Sequence, residues 1–157
     1  MVGDEEYEVF VKTDFTPDDF NADIHNLLYN HWNEIRGNQR LPSRADFNPA
    51  AIAPALPYIL MLEVHPGNPM RFRFRLSGTE TVEVMGINAM GHWIDEFPHT
   101  KEIIARYKRL VETGQPYYNS DKLHWAVKDF HHYTALTLPF SDDGKNVNIL
   151  ISTNYYF

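Results

Sequence analysis

Residues 71–86 read RFRFRLSGTETVEVMG. Up to Leu76 the stretch alternates. Phe72, Phe74 and Leu76 fall on one side and Arg71, Arg73 and Arg75 on the other, the period of a half-buried β-strand. Past Gly78 the alternation stops. Ser77 and Glu80 have the spacing of a helix-capping pair, and with Gly86 as a stop they predict a short helix over 79–85. Just upstream, YILMLEV (58–64) is an apolar run of strand length, and HPGNP (65–69) is made of turn residues. The two strands form a hairpin that leads straight into a helix.

Towards the N-terminus, Thr16, Pro17, Asp18 and Asp19 have the chemistry of a helix start. Phe20, Ile24, Leu27, Leu28, His31, Trp32 and Ile35 then recur as one apolar stripe ending at Gly37, which predicts an amphipathic helix over 17–36. Pro42, Pro49, Pro54 and Pro57 bar a long helix from the next segment, leaving a short helix over 49–53 in an ordered connector. Downstream, residues 87–97 read as a loop with a helical turn or two. A helix begins at Thr100, presents Ile103, Ile104, Tyr107, Leu110 and Val111, and stops at Gly114. Strands at 116–126, 130–140 and 147–156 follow, with an Asp-Gly turn inside SDDGK. The fold class is α+β. One five-stranded antiparallel sheet joins the hairpin to the closing meander, short helices cover one face, and the N-terminal helix covers the other. The division expected is an acidic flexible arm at 1–15, the amphipathic helix at 16–37 and the main domain at 38–157. YEVFV could add an edge strand, but polarity and terminal position favour mobility.

The chain has 157 residues and a formal charge of −7, enough length for one core and the wrong sign for salt-driven nucleic-acid binding. It contains no cysteine, which removes disulfides, thiol catalysis and the flavin photochemistry that needs a reactive thiol. No apolar run reaches the ~20 residues of a membrane span, and the acidic start is unlike a secretory signal. The expected location is the cytoplasm.

HWNEIRGNQRLPSRADFNPAAIAPALPYILMLEV, RFRFRLSGTETVEVMGINAMG and LPFSDDGKNVNILIS together resemble the PAS-like family of stand-alone bacterial regulators, mostly alphaproteobacterial. Trp32 with Arg36-Gly37, Pro42-x-Arg44-x-Asp46, Leu56-Pro57 and Phe74-Arg75-Leu76-x-Gly78-Thr79 carry the resemblance. It implies a PAS-like five-stranded sheet and a sensory or regulatory module in bacterial signalling. It names no ligand, because ligand type varies freely on one fold. The expected partners are a small molecule, a signalling protein and a second copy of the chain. A small cone-shaped enzyme of the steroid-isomerase type and a ligand-free scaffold are the alternatives.

A ligand pocket is expected between sheet and helices, among Leu76, Val84, Met85, Met90, Trp93, Phe97, Ile104 and Tyr107. Arg71, Arg73 and Arg75 are either a face neutralised by acids such as Glu63 or, with Leu28 and Trp32, a dimer or partner surface. Eight histidines show no zinc spacing, so no metal site is expected. No cofactor is required. Haem would look to His92 or His99, both in loop-like settings, and simple flavin binding also has weak support. No catalytic residue is assigned. Asp121 or His124 could act as a base only if turned inward.

Overall fold

The hairpin and the meander share one sheet. The structure, a computed structural model, describes residues 8–127 and 129–157. In chain order its named elements are β1 (Phe10–Lys12), α1 (Asp23–Arg36), β2 (Ile59–His65), β3 (Arg71–Ser77), α2 (Thr79–Met85), α3 (Lys101–Thr113), β4 (Tyr117–Lys122), β5 (His132–Phe140) and β6 (Ile149–Tyr156). The strand order is β1-β4-β5-β6-β2-β3, with every neighbour antiparallel. β2 joins the hairpin to the meander by pairing with β6, Met61 opposite Ile151.

The sixth strand corrects the expected arm. Phe10–Lys12 pairs with β4, Val11 opposite Asn119, because Phe10 can lay its ring on Tyr118 (5.8 Å). Residues 1–7 of that arm lie outside the described residues. The first helix also starts later than expected. Pro17–Asp19 is a separate 3₁₀ turn in which the Thr16 N–H donates to Asp19 Oδ2 (2.9 Å). The backbone then extends at Phe20, and its ring packs 5.0 Å from Tyr118. The proline-rich connector is likewise more helical than expected. Pro49–Tyr58 winds as 3₁₀ helix broken at Ile52, because Pro54 and Pro57 withhold the N–H groups of a regular α-helix.

α1 covers the sheet face opposite α2 and α3. Leu28 and Trp32 are buried in the same core as Ile59, Leu62, Leu136 and Leu138, and the Trp32 Nε1–H donates to the Pro139 carbonyl (2.9 Å). This overturns their assignment to a dimer or partner surface, because the apolar stripe of α1 is consumed by the chain's own sheet. His25 sits deepest. Asn21 Oδ1 accepts from the Thr134 hydroxyl (2.6 Å), so Thr134 accepts from His25 Nε2–H (2.9 Å) and the Thr153 hydroxyl donates to Nδ1 (2.7 Å). The network assigns a neutral Nε2–H imidazole, and burial lowers its pKa to about 3.

The opening stretch behaves as a strand with one flaw. Leu62 pairs with Phe74 and Met61 with Leu76, so Arg75 is the extra residue of a bulge. Adjacent Met61 and Leu62 point to opposite faces, so Phe74 and Leu76 do too. Leu76 ends 38% exposed, and strict alternation fails there.

Candidate ligand cavity

α2, α3 and the 3₁₀ turn Ile94–Glu96 roof the second face of the sheet without filling it. The cavity beneath them is about 60 Å³. That is well above the ~10–15 Å³ that a single ordered water needs. Its apolar walls are Leu60, Phe74, Ile94, Phe97 and Ile103, while Leu123 and Trp125 come from the β4–β5 connection. The Trp125 Nε1–H donates to the Pro98 carbonyl (2.7 Å), tying that connection to the segment before α3.

The floor is polar because one face of three adjacent strands carries Tyr117 and Asn119, then Tyr133, Ala135 and Thr137, then Ser152, Asn154 and Tyr156. Tyr156 and Thr81 share a hydrogen bond (2.8 Å). Burial raises the pKa of Tyr107, Tyr117, Tyr133 and Tyr156, Tyr117 to about 12. These phenols are neutral hydrogen-bonding groups throughout the physiological range. Arg106 reaches in from α3. Its contacts are long, 3.5 Å from Nη1 to Asp121 Oδ2 and 3.4 Å from Nη2 to the Tyr133 hydroxyl, against the 2.7–2.9 Å of a charge-assisted hydrogen bond. Arg106 Nε is buried and meets no acceptor, and the buried Asn119 amide faces only the neutral Tyr133 phenol, without a well-formed hydrogen bond.

Of the expected pocket residues, Met85, Phe97 and Tyr107 line this cavity. Leu76 does not, because the bulge turns it to the opposite face, and Met90 is 53% exposed in the loop after α2. Val84 is buried beside it, in a small cluster with Tyr133, Ala135 and Tyr156. Ile104 packs against the main core. Trp93 lies outside the cavity against β3, with Arg71 4.1 Å over its ring and His65 4.7 Å from it. The sequence reading missed Arg106 and Asn119. Their signal was the run Tyr117, Asn119, Asp121 on one face of a strand that is otherwise buried, with Arg106 one position from the apolar stripe of α3.

The three arginines pin the outer edge of the sheet. Residues 91–93 run along β3, with the Phe74 N–H donating to the His92 carbonyl (2.9 Å) and the Gly91 N–H to the Phe74 carbonyl (2.7 Å). Arg71 grips Asp95 with two hydrogen bonds (2.7 and 2.8 Å), and Arg73 Nε–H donates to the Gly91 carbonyl (3.0 Å). Arg75 meets Glu63 on β2 (3.3 Å). His92 faces Glu96 (3.5 Å), and His99 stacks on His124 (4.7 Å), so neither haem candidate lines the cavity. Among the described residues, no group of three or more His, Asp or Glu could hold a metal ion. Asp121 is spent on Arg106 at the cavity rim, and His124 is exposed.

The sequence profile of the PAS domain family matches residues 22–146. This chain belongs to the PAS domain family. The match begins one residue before α1, so it spans the helix that packs into the same core. No curated protein and no solved structure matches this PAS domain. No helix among its described residues is long and apolar enough to cross a membrane.

Proposed function

We propose that this PAS domain is a regulatory sensor. A small molecule occupies the roofed cavity and alters how α1 sits on the far face of the sheet. One observation carries the reading. β5 and β6 present Tyr133, Ala135, Ser152 and Asn154 to the cavity, and the alternate residues Thr134 and Thr153 hold His25 of α1. A shift of either strand is therefore felt on both faces. Binding moves such an equilibrium only through different affinities for its two packings, so α1 must have a second, looser seat. The exposed side of α1, at Asn30 and Glu34, is where a partner protein would read that seat. A second copy of the chain is one such partner.

Native mass spectrometry of freshly purified protein tests the sensor, read together with hydrogen exchange before and after the retained ligand is stripped. A retained mass whose removal speeds exchange in α1 supports it. A bare mass with unchanged exchange refutes it and leaves a ligand-free scaffold. The same spectrum gives the subunit count.

A further inference from the structure

We infer that the cavity is built for a small organic acid, its carboxylate received by Arg106 Nε and Asn119 Nδ2 and its body lying against Phe74, Ile94 and Phe97. This rests on the sensor reading above and names the chemical class it would detect.

Among the described residues, five buried side-chain nitrogens lack a well-formed hydrogen bond, and two of them belong to residues that line this one cavity. Both are donors. Asn119 is only 2% exposed. Arg106 carries a fixed positive charge, and its guanidinium is planar with donors arranged for a two-oxygen acceptor. Asp121 does not saturate it. At 3.5 Å, with its side chain 19% exposed, the carboxylate holds the guanidinium loosely from the rim and leaves Nε free. The four neighbouring phenols are kept neutral by burial and add no competing negative charge. A cationic donor without an acceptor, beside an amide that meets only a neutral phenol, calls for an acceptor with negative charge. Water can satisfy such donors, and a ligand must displace it with acceptors at least as good. The volume limits the rest of the molecule to a compact body, such as a short aliphatic or single-ring acid.

The test titrates butyrate and benzoate, with butyramide and benzamide as their neutral counterparts, into the full chain. Binding is read by thermal shift and by the Asn119 side-chain amide signals in a ¹⁵N spectrum. The acids should raise the melting temperature and move the Asn119 signals, and the amides should bind at least tenfold more weakly. Arg106→Gln should remove the preference for acid over amide. Arg106→Lys, which keeps the charge but not the fork, should retain part of it, and this separates a binding loss from misfolding. Amides binding as well as acids, or acids binding Arg106→Gln as well as wild type, would overturn the carboxylate assignment and leave the sensor standing. If neither set moves Asn119, the acid proposal falls, and the sensor then stands or falls on the retained mass described above.

Discussion

The neutral imidazole of His25 predicts a measurable weakness in mild acid. In the folded chain it is fully buried between Thr134 and Thr153, and burial holds its pKa down to about 3. Released into the unfolded chain it titrates near 6.5. Between those values the unfolded state binds a proton that the folded state refuses, so stability falls as pH drops below about 6.5 and stops falling near 3. Each pH unit inside that window costs about 1.4 kcal/mol, so going from pH 7.5 to pH 5 costs about 2 kcal/mol from this side chain. The assay is urea unfolding at both pH values, in wild type and in His25→Gln, whose amide can still bridge two hydroxyls but does not titrate. The wild type should lose about 2 kcal/mol more than the variant over that interval. The carboxylates held low by hydrogen bonds, Asp19, Asp95, Glu96 and Asp143, lose their contribution only as pH falls through and below the ordinary carboxylate range, so they leave the interval from pH 7.5 to pH 5 clear. Equal acid losses in the two proteins would refute the placement of His25 as a buried neutral clasp.

Three further outcomes follow from packing. Gly78→Ala should destabilise by about 1–3 kcal/mol or more in urea unfolding, because the new methyl would collide with the Leu56 and Pro57 carbonyl oxygens. The backbone at Gly78 (φ −64°) suits any residue, so the cost would be steric. Leu28→Ala should cost about 2–5 kcal/mol by the same measurement, as expected of a core residue and not of a solvent-facing partner surface. Trp32→Phe should cost about 1–3 kcal/mol, since it leaves the Pro139 carbonyl without its indole donor.

Much of this architecture was legible from local rules. The hairpin, α2, α3 and the closing meander follow from alternation, capping and glycine stops, and each falls within a few residues of its predicted place. The misses have physical causes. A single extra residue at Arg75 inverted the side on which Leu76 emerges, which alternation alone does not foresee. Phe10–Lys12 is a strand only because β4 offers an edge and Tyr118 a ring, both more than a hundred residues away in sequence. The cavity was half legible. Met85, Phe97 and Tyr107 could be picked as apolar residues on roofing elements. Arg106 and Asn119 were not picked, because polar residues on strands and helices default to solvent unless the fold turns them inward.

The sequence pieces that carry the family resemblance meet one another in space. Trp32 holds Pro139, Pro42 accepts from the Ser141 N–H (2.9 Å), and Gly78 nests against Leu56 and Pro57. Of the residues in those pieces, only Leu60, Phe74, Met85 and Ser152 reach the cavity, and Arg106 and Asn119 lie outside them. Chassis and cargo hold are thus written in nearly separate alphabets. Relatives could exchange Arg106 and Asn119 for other side chains and respond to unrelated molecules while keeping every joint, which makes this scaffold a natural starting point for re-tuned biosensors.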